Sequence, residues 1–273
     1  MENFNLHRFG TLAKWSYFAY KSSYIKMTSI MFFVLFAIFE LNSIGTHPSN
    51  HPDGLVFTSI ITYIVFIIVG ASLNFEIMKE KENRLTFLML PASNLEKFVS
   101  RWLYITVGFT VSYFIALLGA DLLRMLFLLI SGHEVVGSVF IDFFKTLSDS
   151  SVFANHIYVN GKDFYTNNSW AIPFTICMNL LCVWMHSIYI LGGTFFRRNA
   201  WLFTTISLIL AVIILSWIGT ECGGFDLNLQ STDSSMKLNI ASVIFLILIV
   251  FNYIASYKLF TRMQVINNKW INA

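Results

Sequence analysis

Long apolar runs alternate with short polar segments along the whole chain. The runs cover about 27–41, 55–77, 102–130, 170–196, 201–218 and 238–260. About 20 apolar residues in a helix cross a hydrocarbon core of about 30 Å at about 1.5 Å per residue. The pattern therefore predicts six membrane-spanning helices. The first run reaches spanning length only by extending toward Gly45, and the third exceeds it, which predicts tilt or projection beyond the bilayer. Neither an internal repeat nor a low-complexity linker is visible, so the expected fold is an all-α integral membrane protein with one integral domain over 1–273.

Composition agrees with the pattern. Apolar side chains make up 56% of the chain and charged ones 12%, against roughly 25% charge in ordinary soluble domains. Mean hydropathy is +0.65. A soluble enzyme, a nucleic-acid reader and a disordered tail protein are excluded. Cys177, Cys182 and Cys222 are too few and too scattered for a disulfide framework.

The net charge of +3 is informative only by position. Arg8, Lys14, Lys21 and Lys26 precede the first run; Lys79, Lys81, Arg84, Lys97 and Arg101 follow the second; Arg197 and Arg198 follow the fourth; Lys258, Arg262 and Lys269 follow the sixth. The opposite loops hold Lys145, Lys162 and Lys237, with Arg124 near the end of the third run. Because basic residues near span ends resist translocation, the expectation is that both termini are cytoplasmic. The basic N-terminal stretch is too long and too aromatic for a cleaved signal, and it lacks an A-x-A site.

Two cytoplasmic segments carry further pattern. Over 1–26, Leu6, Phe9, Leu12, Ala13, Tyr17, Tyr20 and Tyr24 share one helical face, while Arg8, Thr11, Lys14, Lys21 and Ser22 share the other. That predicts an amphipathic helix lying in the inner interface, or a simple cationic anchor. Over 79–101, Pro91 interrupts the chain and Ser93 with Glu96 forms S-x-x-E, a reciprocal helix cap. A helix is expected from Ser93, with Leu95, Phe98, Val99 and Trp102 on its apolar face. Capping alone fits either a protein-docking turn or a merely well-closed loop.

The order of residues in this loop, Glu80-Lys81-Glu82, Thr86, Leu88 with Leu90, Pro91-Ala92-Ser93-Asn94-Leu95-Glu96, and Arg101, resembles permease subunits of ATP-binding-cassette exporters of the second permease type. One position departs: the family usually has glycine before the threonine, where Leu85 stands. The resemblance implies that Glu80, Glu82, Thr86, Pro91, Ser93, Glu96, Lys97 and Arg101 form the element that couples to a separate ATPase subunit, and that 1–26 is the family's elbow helix. It further implies a dimer with itself or a related permease, ATP and Mg bound only by the partner ATPase, export of an amphipathic or apolar substrate, and a bacterial cytoplasmic membrane.

Chemistry of its own is hard to find in the chain. There is no G-x-x-x-x-G-K-[ST], no G-x-S-x-G, and His133-Glu134 lacks the second histidine of a zinc-protease motif. His47, His51 and Asp53 fit a proline-containing turn better than a metal site. No catalytic, cofactor or metal residue is assigned, and the expectation is a transport subunit without enzymatic activity of its own.

Polar residues inside the spans are costly in hydrocarbon and need partners. Thr175, Asn179, Cys182, His186, Tyr189 and Gly193 form one helical stripe, fit either for helix packing or for a translocation path. Asp121 and Arg124 are spaced to pair locally at i, i+3. Glu40 is a candidate partner for Arg124 or His186. Val136, Phe140, Phe143, Phe144 and Leu147 predict a short amphipathic helix within the external loop 132–168. An intramembrane enzyme and a non-transporting scaffold or sensor are the alternative functions.

Overall fold

A computed structural model of the chain describes residues 4–45, 53–72, 81–132, 137–148, 158–159, 162–163, 171–196, 199–221 and 234–262. In chain order the helices are α1 (Leu6–Gly45), α2 (Asp53–Ser72), α3 (Lys81–Leu88), α4 (Asn94–Ile130), α5 (Val139–Ser148), α6 (Ala171–Phe195), α7 (Ala200–Glu221) and α8 (Ser234–Thr261). A two-residue antiparallel pair, Tyr158–Val159 with Lys162–Asp163, lies between α5 and α6 in sequence. Six helices, α1, α2, α4, α6, α7 and α8, are long and apolar enough to cross a membrane. The protein is an all-α integral membrane protein with six transmembrane helices.

Asn5 caps α1, its Oδ1 accepting the His7 N–H at 2.9 Å. No proline follows before Pro48, so nothing breaks the helix between the amphipathic segment 1–26 and the first apolar run. From Leu6 onward the segment expected as an interfacial helix over 1–26 is helical and continuous with the first apolar run in α1. The 40 residues of α1 extend about 60 Å, twice a hydrocarbon core of about 30 Å.

The described helices divide into two compact units, Met1–Gly70 with Val99–Asp149, and Ala71–Phe98 with Ser150–Ala273. In the first, α1 and α4 run parallel. Tyr24 Oη donates to the Tyr104 carbonyl at 3.1 Å, and further along Phe36 meets Phe127 with ring centroids 5.9 Å apart. Water does not drive helices together in lipid, so close backbone approach at small residues must. Gly108 provides it: a Cβ there would overlap the Tyr24 hydroxyl. Antiparallel to α4, α2 is held where the buried Tyr113 Oη donates to the Ser59 carbonyl at 2.6 Å. Phe143 of α5 packs on Tyr63, Tyr113 and Phe114. The amphipathic helix expected in the external loop is therefore present as α5, while Val136 lies outside the described residues.

In the second unit α6 and α7 form an antiparallel hairpin through Asn199, whose φ of 48° is the left-handed conformation that asparagine tolerates better than most residues. Tyr189 and Thr205 share a hydrogen bond at 2.8 Å, and the Gly192 position is filled by the Thr204 side chain. Parallel to α6, α8 is joined to it by Asn252 Nδ2 donating to Ser187 Oγ at 3.0 Å and by Trp184 against Phe245. Much of α7 exposes leucine, isoleucine and valine, surface that is stable only against lipid or another apolar partner.

Candidate functional site

The described part of the 79–101 segment is α3, a short turn and the start of α4, referred to below as the α3–α4 hairpin. Glu80 lies outside the described residues. α3 ends with the Met89 N–H donating to the Leu85 carbonyl at 3.0 Å, and Thr86 Oγ1 returns to the Glu82 carbonyl at 3.0 Å. A tight turn follows, in which the Ala92 N–H reaches the Leu90 carbonyl at 2.8 Å. Ser93 then caps α4. The Ser93 N–H donates to Glu96 Oε2 at 2.9 Å, and the Glu96 N–H to Ser93 Oγ at 3.3 Å, which is the reciprocal cap that the spacing predicts.

Lys97 closes the hairpin. Its Nζ donates to the Leu88 carbonyl at 2.7 Å, which satisfies one of the carbonyls left open at the end of α3. Lys97 is 4% exposed and Glu96 is fully buried. These two residues, with Ser93, hold the hairpin together from within. They do not present themselves to a partner.

A different set faces outward. Met89 is 78% exposed and Leu95 41%, and Glu82, Thr86, Pro91 and Asn94 are exposed with them. The turn thus ends in an apolar tip with polar flanks. Met89 holds no position in the quoted residue order, and Leu95, expected on the apolar face of α4 with Phe98, faces outward while Phe98 is buried. Behind the tip, Phe98 packs on Tyr257 and Phe260 of α8, with ring centroids 5.6 and 5.8 Å away. From Asn94 to Ile130 α4 is unbroken, so the capped turn opens a helix of membrane-crossing length.

Arg101 belongs to the first unit. Its buried guanidinium lies 5.0 Å from the ring centres of both Tyr20 and Tyr104, a cation–π sandwich between α1 and α4. Like Glu96 and Lys97, it is an internal positioning residue.

Among the intramembrane candidates, Asp121 and Arg124 do pair. Arg124 Nη2 and Nε donate to Asp121 Oδ1 at 3.0 and 3.1 Å, and both residues are buried. The second carboxylate oxygen accepts Ser138 Oγ at 2.7 Å and the Phe140 N–H at 3.2 Å, while Arg124 also donates to the Gly137 carbonyl at 2.9 Å. The pair therefore anchors the start of α5. Glu40 is half-buried in α1.

The α6 stripe divides. Asn179 is exposed and donates to the Thr175 carbonyl at 3.0 Å within its own helix. His186 is buried with Nδ1 3.3 Å from Tyr253 Oη of α8, Tyr189 faces α7, and a Cβ on Gly193 would sit 2.8 Å from the Ser72 carbonyl oxygen. From His186 onward the stripe is a packing seam. No group of three His, Cys, Asp or Glu placed to hold a metal occurs among the described residues. Comparison with protein-family models, curated proteins and solved structures finds no match.

Proposed function

We propose that the chain is the membrane-spanning subunit of an ATP-driven exporter, with the α3–α4 hairpin receiving the stroke of a separate ATPase subunit. The observation that carries this reading is the hairpin's construction. Its backbone ends are satisfied internally by Ser93, Glu96 and Lys97, its apolar tip at Met89 and Leu95 is left outward, and it heads a membrane-length helix. A turn held by local bonds transmits displacement instead of absorbing it, and an exposed apolar tip is suited to a cleft on a protein.

In this reading both termini are cytoplasmic and the subunit works as a dimer with two ATPase copies in a bacterial cytoplasmic membrane. ATP and Mg are held by the partner alone. ATP-driven closure moves the hairpin, and the spans alternate between two packed arrangements that open to opposite sides. Few charges line the spans, which favours an amphipathic or apolar substrate.

Co-purification tests it. The tagged chain should bring down an ATPase with a nucleotide-binding cleft, and Met89→Asp should release that subunit while leaving the permease folded. Isolation of the intact chain from its native membrane with no ATPase attached, under conditions that keep other membrane complexes together, would remove the proposal.

A further inference from the structure

The start of α4 reaches in two directions. Successive residues of a helix point about 100° apart, so Lys97 and Phe98 leave the helix toward different neighbours. Lys97 ends on the Leu88 carbonyl of α3. Phe98 ends on α8, where its ring meets Tyr257 edge-on with centroids 5.6 Å apart and Phe260 at 5.8 Å. Edge-on and tilted rings at such separations are the favoured aromatic arrangements. Phe98 and Phe260 are both buried, so neither ring can be displaced without opening a void or pushing the other.

α8 in turn is fastened to α6. Tyr253, Ser256 and Phe260 follow at spacings of three and four on one face of α8, with Asn252 and Tyr257 beside it. Within about two turns of the Phe98 contact, Asn252 Nδ2 donates to the buried Ser187 Oγ at 3.0 Å, and Tyr253 Oη lies 3.3 Å from His186 Nδ1. Trp184 against Phe245 continues the seam. Water does not compete for hydrogen bonds inside a bilayer, so α6 and α8 keep their register.

A displaced hairpin can act along the axis of α4 or sideways through Phe98. The compact unit that holds the hairpin ends at Phe98 and includes α6 and α8, whereas α4 from Val99 onward clusters with α1 and α2. We propose that Phe98 is a positioning residue that carries the motion of the hairpin into α8 and, through the Asn252–Ser187 seam, into α6, so that hairpin, α8 and α6 move as one body. This rests on the reading of the hairpin as the ATPase contact and adds the route by which its movement enters the spans.

Hydrogen exchange on the complex co-purified with the tagged full-length chain tests it, with and without Mg-bound AMP-PNP. In the unmodified complex the nucleotide should change exchange about threefold or more both at the hairpin amides 85–90 and at the α8 amides 252–261. Phe98→Ala leaves the outward Met89 and Leu95 in place, so the ATPase should stay attached and the 85–90 response should persist, while the 252–261 response should fall to about a third or less. Phe98→Leu fills most of the same volume and should retain it. Tyr257→Ala, at a half-buried position, removes the contact from the α8 side and should lower the response as well. A merely structural role would raise α8 exchange equally in both nucleotide states and leave the difference intact. That result, or no α8 response in an unmodified complex whose hairpin does respond, overturns this inference alone. Absence of any ATPase from the preparation overturns the reading beneath it, and the inference with it.

Discussion

Lys97 Nζ donates to the Leu88 carbonyl oxygen at 2.7 Å, joining the first turn of α4 to the last residue of α3. A charged side chain held almost entirely out of solvent is tolerated because it ends on a helix carbonyl, where the macrodipole favours a cation. Lys97→Met keeps the aliphatic stem and removes the donor. It should destabilise the hairpin by about 1–3 kcal/mol. Faster hydrogen exchange of the Leu85 to Leu90 amides, with the amides of α8 unchanged, checks this.

The outward tip should behave in the opposite way. Met89→Asp and Leu95→Asp place a charge on exposed surface and should change the melting temperature little. Partner affinity should fall by about tenfold or more for each, about 1.4 kcal/mol. Ser93→Ala makes the contrast, because loss of the cap should cost about 1 kcal/mol of stability before it affects docking. Pull-down and thermal unfolding on the same preparations separate the two effects.

Asp121 bonds at once to Arg124, to Ser138 Oγ and to the Phe140 N–H. Asp121→Asn should leave Arg124 buried beside a neutral partner and cost about 3–5 kcal/mol. Asp121→Asn combined with Arg124→Met should recover part of that loss. Limited proteolysis within α5 reports the release directly, and the single variant should be cleaved faster than the double.

Gly192 and Thr204 set the spacing of α6 and α7. Gly192→Ala should cost about 1–3 kcal/mol by overpacking, and Thr204→Ala should restore much of it by clearing the space. Additive losses in the double variant would count against direct contact as the cause.

Hydrophobic run length made the six spans legible without coordinates, because a bilayer demands about 20 uninterrupted apolar residues whatever lies beside them. Local spacing made the Ser93–Glu96 cap and the Asp121–Arg124 pair legible for a similar reason, since residues three apart on a helix meet regardless of the rest of the fold. α1 shows where the same reasoning fell short. The change of amphipathic pattern after residue 26 marks a change of environment, yet one helix runs from Leu6 to Gly45, because helix geometry persists through such a change when neither proline nor a glycine cluster interrupts it.

What the sequence determined by itself is the solvent of each segment and the bonds between near neighbours, both of which depend on composition over one or a few helical turns. Only the tertiary structure decided which residues of the α3–α4 turn face inward and which outward. Glu96 and Lys97 are buried, Lys97 against the carbonyl of Leu88 across the turn, while Met89 and Leu95 stay out. It likewise brought the Arg101 cation between Tyr20 and Tyr104 and placed Ser16 on a groove with Val107. Tyr20 and Arg101, like Ser16 and Val107, lie more than eighty positions apart in the chain, and no local periodicity carries information over that distance.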